Sequence, residues 1–146
     1  MKPVVIIDTE YLASTALAMT IKDAGYELNA QLGSKTEVLE FFQKKPKDNL
    51  VIVDYSQSEL FDEEIKSTIR EATGLHFLGI TPYQSANTLL DGLELGIHSF
   101  LLKSCSREEI VDAFEATIKG ERFFCGTIVK EILREEAPES ADNIYQ

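Results

Sequence analysis

Four short apolar runs, each ending on a polar side chain, set the pattern of the chain. Val4-Val5-Ile6-Ile7 stops on Asp8, Leu50-Val51-Ile52-Val53 on Asp54, Phe77-Leu78-Gly79-Ile80 on Thr81, and Phe100-Leu101-Leu102 on Lys103. Runs that are rich in β-branched residues and lack polar alternation suit strands buried on both faces of a parallel sheet. Tyr26 to Leu32 is a partly polar fifth candidate and belongs at a sheet edge.

Between these runs the period becomes helical. Leu12 to Ala24 carries Leu12, Ala16 and Met19 on one stripe and is closed by Gly25. Ser34 and Glu37 have the spacing of a capping box, which opens a helix to about Lys44. Asp62 can cap a helix bearing Ile65, Ile69 and Ala72, which Gly74 ends. A segment from about Gln84 to Leu95 turns Ala86, Leu89, Leu90 and Leu93 inward and stops at Gly96. Ser106 and Glu109 form a second capping box, starting a helix with Ile110, Phe114, Thr117 and Ile118 on one side and Gly120 at its end. Strand and helix thus alternate five times. That order predicts an α/β fold, a doubly wound five-stranded parallel sheet with helices on both faces, because parallel neighbours need right-handed crossovers. Beyond it, Ile128, Val129, Ile132 and Leu133 predict an extra C-terminal helix within residues 121–136. Residues 137–146 have the polar, acidic composition of a linker or disordered tail.

Composition narrows the picture. At 146 residues, 44% hydrophobic and 27% charged, the chain suits one domain with a full core, residues 1–120. Its formal charge of −11 argues against direct contact with nucleic acid, which needs a clustered positive surface. No apolar run approaches the roughly 20 residues of a membrane span, and the start lacks a signal-peptide pattern, so a cytoplasmic chain with no membrane partner is expected. Cys105 and Cys125 lack metal-type spacing and read as reduced thiols, while His76 and His98 read as structural.

If the sheet is parallel, the four polar strand ends meet at one rim, where ligands of open α/β sheets bind. Asp8 and Asp54 would make a negative pocket for a hard cation such as Mg²⁺. With that charge screened, one carboxylate can act as a nucleophile toward a phosphoryl group. Lys103 supplies a point charge and Thr81 a hydrogen-bond donor for phosphoryl oxygens, so the parts needed for phosphoryl transfer are present in type.

These residues, with Gly96-Ile97-His98-Ser99-Phe100-Leu101-Leu102-Lys103 and the following Arg107-Glu108-Glu109-Ile110, resemble the receiver domain of two-component response regulators over about Met1 to Gly120. The closest resemblance is to receivers joined to a LuxR-type helix-turn-helix DNA-binding domain. The resemblance implies a flavodoxin-like receiver fold and a phosphorelay protein controlling transcription through a DNA-binding domain outside this chain. It implies Asp54 as the phosphoacceptor of a sensor histidine kinase, Thr81 as the signalling hydroxyl, Lys103 as the phosphoryl partner and Phe100 as an aromatic switch. Mg²⁺ would be held by Asp8, Asp54 and the backbone carbonyl of Ser56. A homodimer through the fourth helix, last strand and fifth helix is implied too, and no enzymatic activity beyond the domain's own aspartyl phosphorylation.

The sequence also departs from the family. Thr9 stands where a second acid is usual, leaving Glu10 as a substitute cation ligand, and the loop Tyr55 to Phe61 lacks the usual Pro and Gly. Pro82 and Ser104 differ as well. Thr9 and that loop favour an alternative, a phosphorylation-independent pseudo-receiver acting as a protein-protein interaction module. A flavin-binding protein of similar topology fits less well, because Thr9-Glu10-Tyr11-Leu12 is bulky and acidic where a phosphate loop needs small residues.

Overall fold

The computed structural model describes residues 2–83 and 85–130. The chain runs β1 (Pro3–Ile7), α1 (Tyr11–Asp23), β2 (Glu27–Leu32), α2 (Lys35–Gln43), β3 (Leu50–Val53), α3 (Glu63–Glu71), β4 (His76–Thr81), α4 (Ala86–Glu94), β5 (Ser99–Leu102), α5 (Arg107–Ile118) and β6 (Phe123–Phe124). All pairings are parallel and the strand order is β2-β1-β3-β4-β5-β6. The order reverses between β1 and β3, and so the carboxyl ends of those two strands flank the crevice of a doubly wound sheet. The apolar residues that announced β1, β3 and β5 are all buried, as strands covered on both faces require. Strand β2 takes the expected edge, with Glu27, Asn29 and Gln31 exposed.

The caps behave as their chemistry dictates. Asp62 accepts from the Ile65 amide, and Ser106 and Glu109 form a complete capping box. At α2 the box is half made: Ser34 accepts from the Glu37 amide, while the Glu37 carboxylate reaches the Gly33 amide instead of that of Ser34.

Three expectations need correction. The stripe Leu12, Ala16 and Met19 is not the inner face of α1: Leu12 and Met19 are 82% and 62% exposed, and Ser14, Leu17, Ala18 and Ile21 are buried instead. This helix has apolar residues on nearly every side, so its periodicity is ambiguous, and the sheet selects the set spaced three, four and seven apart. In α4, Leu90 lies outward, 55% exposed, and buried Gly92 faces the sheet. The sheet, moreover, has six strands rather than five. After α5 the chain turns at Gly120 and lays Phe123 and Phe124 beside Ser99 and Phe100. Phe124 stacks on Phe100 with ring centroids 5.5 Å apart, and the Phe123 amide donates to the Ser99 hydroxyl at 3.2 Å. Aromatic residues favour such pleated surfaces, and two of them are too few to show a period. Residues 121–125 are therefore not helical. The helical pattern begins at residues 126–130, and the rest of the expected helix and the tail lie outside the described residues. Among the described residues, no helix is long and apolar enough to cross a membrane.

Candidate functional site: an acidic cluster at the carboxyl rim of the sheet

Asp8 and Asp54 are each the first residue after a buried strand, and both stay in the backbone ladder. The Asp8 amide donates to the Leu32 carbonyl at 3.1 Å and that of Asp54 to Ile7 at 3.0 Å. Their side chains are buried and point at one ammonium group. Lys103 Nζ lies 2.7 Å from Asp54 Oδ2 and 3.0 Å from Asp8 Oδ2, and it also meets the Glu10 carboxylate. Lys103 is in turn fixed from below, its amide donating to the Thr81 carbonyl at 2.8 Å. Burial by itself would lower the lysine pKa, but hydrogen bonds to Asp54 and Glu10 and the nearby Asp8 outweigh it, so the ammonium is held above its ordinary value. The same contact, chiefly its hydrogen bond, keeps the Glu10 carboxyl below the usual range.

The loop after β3 fills the remaining positions. Asp54 Oδ1 accepts from the Ser56 amide at 3.0 Å and from the Ser56 hydroxyl at 2.5 Å. Gln57 Nε2 donates to Asp8 Oδ1 at 2.5 Å and to Asp54 Oδ2 at 3.2 Å, and its carbonyl accepts from the Thr9 amide at 2.8 Å. Asp54 thus receives four donors, matching the lone pairs of a carboxylate. Asp8 Oδ1 also accepts the Glu10 amide at 2.8 Å, but Asp8 Oδ2 is buried with no hydrogen bond, and Lys103 Nζ lies 3.0 Å from it as an ion pair.

The arrangement suits a hard cation in donor type. Ligand oxygens of Asp8, Glu10 and Asp54 lie within 4.8 Å of one another, three carboxyl groups face one ammonium, and one buried oxygen lacks a hydrogen bond. A second group, Cys105, Glu109 and Cys125, is also close. Burial and a hydrogen bond to Cys125 push the Cys105 thiol up to about 12, so it is a protonated thiol in this structure. The two sulfurs, spaced 20 residues apart in the chain, lie 2.9 Å apart as free thiols.

Of the residues singled out in the sequence, Asp8, Glu10, Asp54 and Lys103 come together, and Ser56 meets Asp54 through its amide and hydroxyl. Thr81 sits buried at the end of the neighbouring strand, its hydroxyl donating to the Tyr83 carbonyl at 3.0 Å. Phe100 is in the core, edge-to-face with Tyr55 at 6.2 Å. Gln57 and Tyr55 were not foreseen. The Tyr55 hydroxyl donates to the Thr88 carbonyl, and the ring occupies space that Gly79 and Gly92 leave open, where an added Cβ would come within 2.8 Å of it.

No family model matches the sequence. The chain is similar to a LuxR-family two-component response regulator from Aurantimonas sp. SI85-9A1, with 23% identity, a TM-score of 0.78, and coverage of 94% of this chain and 99% of that one. It is also similar to the isolated receiver domain of RcsB from Salmonella enterica serovar Typhimurium in the presence of the phosphomimetic BeF3⁻, at 18% identity and TM-score 0.75, covering 90% and 98%. RcsB dimers bound to DNA match at 17% identity and TM-score 0.77, over 91% of this chain and 68% of that one. The fold of this chain is accordingly that of response-regulator receiver domains.

Proposed function

We propose that the chain is the receiver of a two-component response regulator, taking a phosphoryl group on Asp54 from a sensor histidine kinase in the cytoplasm. The observation that carries this reading is the Lys103 ammonium, 2.7 Å from Asp54 and 3.0 Å from Asp8, at the carboxyl rim of a buried parallel sheet. In the transfer, an Asp54 oxygen attacks phosphorus and forms the new O–P bond. The bond from phosphorus to the donor histidine nitrogen breaks, and its electron pair stays on nitrogen. Lys103 then pairs with a phosphoryl oxygen, and Thr81 turns its hydroxyl from the Tyr83 carbonyl toward another.

Asp8, Asp54, the Ser56 carbonyl and Glu10 would hold Mg²⁺, which when bound offsets the charge on the phosphoryl oxygens. Catalysis is confined to the chain's own phosphorylation. Movement of Thr81 and the buried Phe100 would shift a two-state equilibrium on the face of α4, β5 and α5 and favour a homodimer there. The output is transcription through a DNA-binding domain outside these residues. The net charge of −11 supports leaving DNA to another domain.

A second reading, a pseudo-receiver that works as an interaction module without phosphorylation, is favoured by the four donors that saturate Asp54. Incubation with acetyl phosphate and Mg²⁺, followed by intact-mass measurement, separates the two. A gain of one phosphoryl group in the wild type and none in Asp54→Ala supports the receiver. No gain in a folded wild type supports the module.

A further inference from the structure

We infer that Gln57 is an internal competitor for the cation, its carboxamide holding Asp8 and Asp54 together as a divalent ion otherwise would. The inference rests on the cation reading of the acidic group given above. Gln57 Nε2 donates one hydrogen to Asp8 Oδ1 and the other to Asp54 Oδ2, while Oε1 accepts from the Thr9 amide. One neutral side chain therefore bridges the ends of β1 and β3. A hard cation held by these two carboxylates would need oxygen lone pairs that these N–H groups occupy.

The amide satisfies lone pairs but brings no net charge, so three carboxyl groups still face one ammonium and the demand for a cation remains. Displacement is reversible in this geometry. The Gln57 backbone carbonyl accepts from the Leu60 and Phe61 amides, which fixes the backbone of the loop without engaging the side chain. Gln57 is half-buried and Thr9 exposed, so water can take over their released groups. Gln57 is thus a positioning residue: it orders the acidic pair before an ion arrives and sets how much ion is needed.

The test compares Mg²⁺ affinity by calorimetry, and melting temperature with and without Mg²⁺, in the wild type, Gln57→Met, Gln57→Glu and Asp54→Ala. Methionine keeps the length and removes both donors. Glutamate keeps an acceptor for the Thr9 amide and adds a ligand charge. The expected result is at least about tenfold tighter binding in Gln57→Met than in wild type, since two charge-assisted hydrogen bonds to the carboxylates are released and either alone has that worth, and tighter still in Gln57→Glu. Both variants melt lower than wild type without the ion and gain more from its addition. Affinity unchanged or weaker in both Gln57 variants, with binding lost in Asp54→Ala, overturns the role of Gln57 and leaves the cation site standing. Absence of binding in wild type and both Gln57 variants, or binding in Asp54→Ala equal to wild type, overturns the cation site and the inference with it.

Discussion

The Tyr55 hydroxyl donates to the Thr88 carbonyl at 3.0 Å, tying the residue that follows Asp54 to the first turn of α4. The bond gives the acidic rim a direct physical connection to α4 through a covalent neighbour of Asp54. Tyr55→Phe keeps the ring against Phe100 and removes the tie. It should cost about 1 kcal/mol in denaturant unfolding and speed hydrogen exchange of the α4 amides relative to those of β3. Unchanged exchange in α4 would show that the tie transmits nothing.

Lys103→Met should be far more costly, because Asp8 and Asp54 would remain buried without their counter-charge. A loss of about 3–5 kcal/mol is expected by urea titration, on the precedent of broken buried pairs. Asp54→Asn in the same background should return part of it.

Glu10 gives a pH signature of small size. Its folded pKa is depressed by Lys103, so its contribution is present above the unfolded value of about 4.3 and is lost as pH falls through the folded value. The carboxylate is 54% exposed, and solvent screening limits such a pair to under about 1 kcal/mol. Wild type should exceed Glu10→Gln by that margin near neutrality, and the two stability curves should meet in acid. A gap that persists in acid would mean that Glu10 acts through packing rather than charge.

Gly92→Ala tests the packing under α4. In an open helix the change stabilises by up to about 1 kcal/mol. Here the new Cβ would lie 2.5 Å from Phe100 and 2.8 Å from Tyr55, and a cost of about 1–3 kcal/mol is expected instead. Thermal unfolding decides the sign.

The thiols offer a further check. With an excess of a small disulfide, Cys105 and Cys125 should exchange to an internal S–S bond: the protein loses two hydrogens and the small disulfide gains them. The reaction should be slow, because burial and the Cys125 contact raise the Cys105 thiol well above its ordinary value and Cys125 is itself buried. Mass spectrometry after equilibration should find the bond in wild type, and its absence there would show the contact to be too constrained to oxidise.

How much of this was legible in the sequence depended on the kind of signal. Strands β1, β3, β4 and β5 were readable because burial on both faces leaves an uninterrupted apolar run, and the polar residue after each run marks the rim. Asp8, Asp54 and Lys103 followed from that directly. The inner face of α1 was not readable, since Leu12 and Met19 are as apolar as Leu17 and Ile21 and only the sheet distinguishes them. Strand β6 was missed because two residues show no period. Gln57 was hidden for another reason: a loop carboxamide has no pattern, and its role appears only once Asp8, Thr9 and Asp54 surround it. Missing Pro and Gly after Asp54 hinted at an unusual loop without saying what it does.

The short rung of Phe123 and Phe124 has a bearing on how copies of this chain can associate. It covers the first half of the β5 flank, at Ser99 and Phe100, and leaves only a short stretch of that margin open, while the opposite flank is β2, studded with Glu27, Asn29 and Gln31. Both margins are thus guarded against strand-by-strand accretion.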